Sequence, residues 1–433
     1  QYVTASVPIG ETYEIIANMY YRIGSFNGVY IGRSIVTMSA DNTIHTVPVY
    51  IQRGSGGGSC PYVYAWNGTD YSTENSILEG SPETGFTLDA LPISNAASFA
   101  NDELILAIAE ESPYEYTDLD SLSIQYIAHD SNIMLGTTPD GTIKGFRQPS
   151  LPALAVDNQG NDVLELISES DDIAYNGTAG NFVIINFNAI TSDNTRLVIR
   201  SDALCPPPRQ WEGPLPIGPI HVEIMNAAGE WAQVATFWPR DLWSYTVIDL
   251  GEHLQSQAGI IQVKLTWDAY HLLDYVGLDT SPEPDLEIIR MSPIIARHSN
   301  GTNAEDILRS SDGSTLRLDY GDRVTLVFPA PEFSDSLVVT PGLEVVGQYV
   351  QIERPIAKLN ASQSEAQTYE AVTFDASGSY APDGTAIVKY LFEFGDGTNS
   401  GWVDSPVVAH EYQDGPAVYE AYVHRLRCTR KST

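Results

Sequence analysis

Tyr390-Leu391-Phe392-Glu393-Phe394-Gly395-Asp396-Gly397-Thr398 decides the class of fold. Tyr390, Phe392 and Phe394 alternate with Leu391 and Glu393, so in an extended chain the three rings share one face that can be buried. The Gly-Asp-Gly-Thr run behind them is a tight reversal, because glycine accepts backbone angles closed to other residues. Period-two alternation, or a short β-branched and aromatic run, recurs at Tyr13 to Tyr21, Val29 to Met38, Thr46 to Ile51, Val183 to Phe187 and Leu197 to Arg200. Asn101 to Ile108 admits a helical reading, but Leu104, Leu106 and Ile108 alternate as a half-buried strand does. With 34 Gly and 26 Pro, turn signals punctuate these runs, and no convincing capped helix of about a dozen residues is present. The sequence predicts an all-β, multidomain chain of antiparallel β-sandwiches.

Around the opening stretch stand Val372-Thr373-Phe374-Asp375-Ala376-Ser377-Gly378-Ser379, Asp383-Gly384 and His410-Glu411-Tyr412. With these motifs the chain from Ala357 onward resembles a PKD domain, the immunoglobulin-like sandwich found on archaeal, bacterial and animal cell surfaces. One departure stands out. Where the family has a last turn and strand, this sequence has His424-Arg425-Leu426-Arg427-Cys428-Thr429-Arg430-Lys431-Ser432-Thr433, which predicts either an open sheet edge or a natural chain that runs on. A looser resemblance covers residues 58 to 350. Ser59-Cys60-Pro61-Tyr62-Val63-Tyr64-Ala65-Trp66-Asn67-Gly68-Thr69 is similar to a Cys-Pro-aromatic segment of large secreted archaeal and bacterial proteins that carry PKD repeats. Tyr126 to Asp130 and Ala155 to Leu164 fit the same pattern.

Punctuation suggests the domain borders. Gly-rich Arg53 to Ser59 reads as a flexible link, Asp171-Asp172 as a weaker break, and Ser281-Pro282-Glu283-Pro284-Asp285 as the end of a strand-rich stretch. The expected division is an N-terminal β segment 1–58, a β domain 59–175, a jelly-roll-like sandwich 176–282, a connecting β domain 283–353 and the PKD-like domain 354–433.

Charge narrows the function. Lys plus Arg is 22 and Asp plus Glu is 56, for a net charge of −34, although charged residues make up only 18%. Lys144, Lys264, Lys358, Lys389 and Lys431 are the only lysines, so small polar residues cover much of the surface. Nucleic acid and anionic lipid need a basic footprint, and both are excluded as main partners. No run approaches the roughly 18 apolar residues of a membrane-spanning helix, so no direct membrane insertion is expected. Gln1 opening directly onto an alternating pattern reads as a processed, extracellular start.

Cys60, Cys205 and Cys428 lie in no zinc spacing. A Cys60–Cys205 bridge in an oxidising compartment and unpaired structural cysteines both stand as readings. Four sequons predict glycosylation at Asn67, Asn176, Asn300 and Asn360, the first three as Asn-Gly-Thr in turn-like settings. Asp157 and Asp162, in the oxygen-rich Asp157-Asn158-Gln159-Gly160-Asn161-Asp162, and Asp375, Asp383 and Asp396 are candidate ligands for calcium, the one cofactor considered. Aspartates in such turns also cap their own backbone, and a plain hairpin turn is the competing reading. Tyr62, Tyr64 and Trp66 share one strand face and are expected to wall a core, with a sugar-stacking strip as the alternative. Trp231, Trp238, Trp243 and Trp267 concentrate in one stretch, again suiting either a core or a glycan-binding face.

No HExxH, GxSxG, P-loop or GxGxxG after a strand is present, and no enzymatic activity is expected. The sequence points to a glycosylated structural protein of an archaeal cell surface that assembles with itself as a surface layer (S-layer) or filament. A carbohydrate-binding adhesion protein is the alternative. Gln1, Tyr2, Val3, Thr4, Ala5, Ser6, Val7 and Pro8 form the candidate donor strand for assembly, an ordinary first strand being the other reading. Intact-peptide mass spectrometry of protein from its native source is expected to find glycans on Asn67, Asn176 and Asn300; three unmodified peptides would remove the glycoprotein reading.

Overall fold

In the computed structural model the described residues are 12–23, 26–37, 52–53, 61–68, 70–80, 85–94, 103–111, 115–190, 193–203, 218–226, 228–251, 253–254, 258–333, 337–351, 357–380, 386–413 and 421–427. They are nearly all β-strand, with a single short 3₁₀ turn at Leu164–Ile167. The chain divides into two compact units, Gln1–Val350 and Gln351–Thr433. At the N-terminal end, Thr12–Ile23 and Phe26–Thr37 form a long antiparallel hairpin, and Gln52–Arg53 pairs with its second strand. Asn101 to Ile108 resolves as the strand Glu103–Ala109, as its alternation requires.

Residues 62–351 build two sandwiches, one set inside the chain of the other. One sheet of the outer sandwich runs in the order Ile295–His298, Arg323–Pro329, Glu103–Ala109, Tyr62–Trp66, Tyr71–Ser76. The other runs Glu287–Met291, Glu115–His129, Val338–Gln351, Thr87–Pro92, with Leu316–Asp319 also paired to Glu115–His129. Early and late parts of the chain are thus interleaved, as the pairs Val324 with Ile108 and Leu343 with Leu91 show. Between Glu115–His129 and Glu287–Met291 the chain makes a complete second sandwich, Met134–Thr137 through His271–Asp279, of six and five strands. This differs from the expected linear division: residues 134–177 pair with strands of 182–279, while 62–129 and 287–351 share sheets. Gly- and Pro-rich runs mark reversals, but hydrogen-bond partners decide which strands share a core.

Each sandwich has its own interior. Val63, Ala65, Leu106, Ile108, Leu326 and Phe328 face Leu119, Ile124, Tyr126, Leu343 and Val345 in the outer one. Val183, Ile185, Phe187, Val263, Leu265 and Trp267 face Leu197, Ile199, Leu273, Val276 and Leu278 in the inserted one. Burying each such side chain is worth about 1.5–3 kcal/mol, which offsets the ordering of long, non-local sheets.

The two sandwiches are locked by a buried charge. Arg240, 5% exposed, donates from Nη1 to the Ser76 carbonyl (2.8 Å) and Asp89 Oδ2 (3.0 Å), and from Nη2 to Asp89 Oδ1 (2.5 Å) and the Ala90 carbonyl (3.0 Å). Asn75 adds a two-way amide contact, its Nδ2 donating to the Leu242 carbonyl at 2.9 Å and its Oδ1 accepting from Leu242 N at 3.0 Å. Gly141 lets the turn after Met134–Thr137 press on strand Thr87–Pro92: its φ is +80°, and a Cβ there would stand 2.0 Å from the Leu88 carbonyl oxygen. A second buried arginine anchors the chain's return. Arg196, with a fully buried side chain, bonds Asp279 (3.0 Å), the Ser281 carbonyl (2.9 Å) and Glu283 (2.7 Å). Those residues lie in and beside the Pro-bearing segment that leads back to the outer sandwich.

The C-terminal unit is a small sandwich of two three-stranded sheets, Asn360–Ala361, Ala371–Asp375, Val407–Glu411 and Asn399–Val403, Ile387–Glu393, Tyr422–Arg427. Val372, Phe374, Tyr390, Phe392 and Phe394 fill its core, as the alternation of the opening stretch requires. His424 to Arg427 lies within a strand paired to Ile387–Glu393.

Replacing Arg240 by Ala leaves the buried Asp89 carboxylate without its counter-charge and is expected to cost about 3–5 kcal/mol in urea unfolding. Arg309→Ala, at the exposed Arg309–Asp306 pair, is expected to stay within about 0.5 kcal/mol.

Candidate functional site

Surface chemistry rather than an enclosed pocket carries the candidate function, beginning with the four sequon asparagines, all of which are exposed. Asn67 opens the turn between Tyr62–Trp66 and Tyr71–Ser76, where its Oδ1 accepts from Asp70 N at 2.9 Å and Gly68 adopts φ +96°. Its sequon partner Thr69 lies outside the described residues. Asn300 caps its own turn by accepting from Thr302 N at 2.9 Å. Asn176 points outward from Tyr175–Gly177 at a sheet edge, between two buried neighbours. Gly177 is required there, since a Cβ would stand 2.3 Å from the Trp267 indole. Asn360 begins a short exposed strand beside Asp375.

The candidate calcium ligands are held by their own turns. Asp157 accepts from Gln159 N (2.8 Å), Asn161 N (2.9 Å) and Asn161 Nδ2 (2.9 Å), and the Asn161 side-chain bond leads in holding its carboxyl below the usual range. Asp162 accepts from Leu164 N at 3.0 Å at the start of the 3₁₀ turn. Asp375 accepts from Ser377 N at 2.8 Å. Asp383 lies outside the described residues. Among the described residues no group of three or more His, Cys, Asp or Glu side chains is placed to hold a metal ion.

Asp396 has the most elaborate setting. It accepts from Thr398 N (2.9 Å), Thr398 Oγ1 (2.7 Å) and His410 Nε2 (2.7 Å). Partial burial pushes its carboxyl up, but the Thr398 and His410 bonds outweigh that and bring it down to about 2. The His410 ring lies flat on Phe394 at 3.9 Å and meets the edge of Tyr412, whose hydroxyl donates to the Phe394 carbonyl at 2.9 Å. The reversal quoted at the outset is thus bolted to the strand Val407–Glu411 of the facing sheet through side chains of both.

The aromatic strip turns away from the outer core. Val63 and Ala65 point inward, so Tyr62, Tyr64 and Trp66 lie on the opposite face, contrary to the expected core wall. Leu106, Ile108, Leu326 and Phe328 from neighbouring strands already fill the interior, and strand parity does the rest. Tyr62 is buried against the inserted sandwich, with its hydroxyl on Asp241. Tyr64 donates to Glu111 at 2.6 Å, and Trp66 meets Tyr71 edge-on at 5.2 Å, with Arg323 over Tyr71 at 5.6 Å. Of the clustered tryptophans, Trp267 is core, while Trp231 and Trp243 stack under Lys264 (5.0 Å) and Arg200 (4.8 Å).

Cys60, Cys205 and Gln1 to Pro8 lie outside the described residues. Near the two cysteines, Ala203 N donates to the Arg240 carbonyl at 2.6 Å while the Tyr62 hydroxyl reaches Asp241, so both flanking strands meet one turn.

Residues 352–424 match the PKD domain family. The C-terminal unit is therefore a PKD domain, with the sandwich and motif positions that its sequence indicated. No curated protein matches the chain. No described helix is long and apolar enough to cross a membrane.

Because the Asp396 carboxyl sits below its ordinary value of 3.8, its contribution is present above pH 3.8 and is lost as pH falls from there toward 2. Asp396→Ala is expected to cost the PKD domain about 1–2 kcal/mol at neutral pH, read from hydrogen exchange of its core amides, and to remove that acid-side loss.

Proposed function

We propose that this chain is a non-enzymatic, extracellular structural glycoprotein of a microbial, archaeal cell surface, which assembles with itself as an S-layer or filament subunit. The observation that carries this reading is the locked pair of sandwiches. A domain inserted within another and clamped by buried Arg240 resists bending about a single linker, which suits a load-bearing subunit. The PKD domain supports a surface location, since such domains are typical of extracellular proteins. Outward sequon asparagines and a net charge of −34 suit a hydrated, glycan-bearing exterior.

Carbohydrate binding is the second reading, favoured by the outward Tyr64, Trp66 and Tyr71 with Arg323 beside them, because flat aromatic faces stack on sugar rings. Electron microscopy of native material, with light scattering of the purified chain at rising concentration with and without calcium, tests the first reading. Lattices or fibres, and mass growth that deletion of residues 1–8 abolishes, are the expected result. A chain that stays monomeric under all these conditions and binds one sugar class saturably on a glycan array would replace the structural reading with the adhesive one.

A further inference from the structure

Two more carboxyl groups, Glu79 and Asp241, stand beside the Arg240–Asp89 pair. Ser76 joins them: its hydroxyl donates to Glu79 and accepts from Asp241 N at 3.1 Å. A small cleft of about 60 Å³ opens at the same place, lined by Glu79, Leu88 and Asp89 of the outer sandwich and by Thr138, Trp238 and Arg240 of the inserted one. Glu79 keeps some exposed surface, yet its carboxyl end is enclosed. Among the described residues, three carboxyls therefore face one guanidinium. Asp89 already takes both terminal nitrogens of Arg240, together with Leu78 N (2.7 Å) and Ala90 N (2.8 Å), so both of its oxygens face donors. Asp140, on the turn across the cleft, is exposed and tied to the Thr138 and Thr142 hydroxyls.

An acid enclosed beside two further carboxyls is disfavoured in its charged form, both by lost hydration and by like charge, and the Ser76 hydroxyl holds it in place there. We infer that Glu79 is a proton-operated lock on the junction of the two sandwiches, closed when its carboxyl is neutral and loosened when it ionises. Burial, and after it the Asp241 carboxylate, push Glu79 up to about 8, against the pull of Arg240 and the Ser76 hydroxyl. In the unfolded chain the same group titrates near 4.5. Its folded value is the higher one, so the stability it confers is complete below pH 4.5 and is lost as pH rises through 8. Burial of the acid and its crowding by Asp241 thereby couple the grip between the sandwiches to mildly alkaline pH.

The test follows amide hydrogen exchange in the full chain from about pH 6 to about pH 9. Leu78 and Ala90, whose amides bond Asp89, report the junction, and Val263, inside the inserted sandwich, corrects for base catalysis. In the wild type, protection of Leu78 and Ala90 relative to Val263 is expected to fall about tenfold by one pH unit above the Glu79 titration. In Glu79→Gln, which has the shape and neutrality of the protonated acid, the ratio is expected to stay flat. In Asp241→Asn the fall is expected at lower pH than in the wild type, because the charge opposing Glu79 ionisation is gone. A flat wild-type ratio, an equal fall in Glu79→Gln, an unmoved midpoint in Asp241→Asn, or a Glu79→Gln chain unable to fold at pH 6 would each overturn the lock.

Discussion

A guanidinium taken out of water must be matched or it costs several kcal/mol, and Arg240 is matched across a domain boundary. Its described bonds run to the Ser76 carbonyl, the Asp89 carboxylate and the Ala90 carbonyl, all on the outer sandwich, while the arginine belongs to the inserted one. Asp89 can serve only because its own strand and the loop before it supply the Leu78 and Ala90 amides that hold it. The arrangement of the rest follows from that demand. The turn at Gly141 must approach Leu88 closely, Asn75 must meet the backbone of Leu242, and Tyr62 must give up a place in the core to reach Asp241.

This makes the largest part of the chain something other than a string of independent sandwiches. Flexible linkers let neighbouring domains reorient, which is the default where an interface is small. Here the chain passes from one sandwich to the other and back, and Arg196 anchors the return against Asp279, Ser281 and Glu283. Two crossings, each with a buried arginine close by, resist rotation about either one alone. Rigidity of that kind suits a subunit whose neighbours must meet it in a fixed orientation.

The acidity of the chain has a related explanation. Asp157, Asp162, Asp375 and Asp396 each accept from an amide of their own turn, and Asp396 also from His410. Carboxylates used in this way help to order their own turns, and their charge remains at the surface to keep the protein hydrated. Lysines are scarce, so little of that charge is cancelled nearby.

Local pattern was enough for some of these features. Tyr390, Phe392 and Phe394 announced a buried face and the Gly395-Asp396-Gly397 reversal behind it, because side-chain parity and glycine conformation depend on a few consecutive residues. The exposure of Asn67 and Asn300 in their Asn-Gly-Thr turns was legible for the same reason, as was the strand at Glu103–Ala109, whereas Asn176 lies in a strand, at a sheet edge. At Tyr62 to Trp66 the alternation defined two faces without saying which was inward; that choice was made by Leu106, Ile108 and Leu326 on other strands. The insertion of 134–279 left no local mark either, since the pairing of Leu343 with Leu91 and of Val324 with Ile108 joins remote segments. Glu79, Asp89 and Arg240 are three ordinary charged residues in the sequence, and only the meeting of the two sandwiches excludes enough water to make their charges interact strongly. The sequence by itself determined strands, turns and the class of fold, whose causes lie within a few residues; tertiary structure decided which face is core, which strands share a sheet and which charges are buried, because each depends on what packs against it from afar.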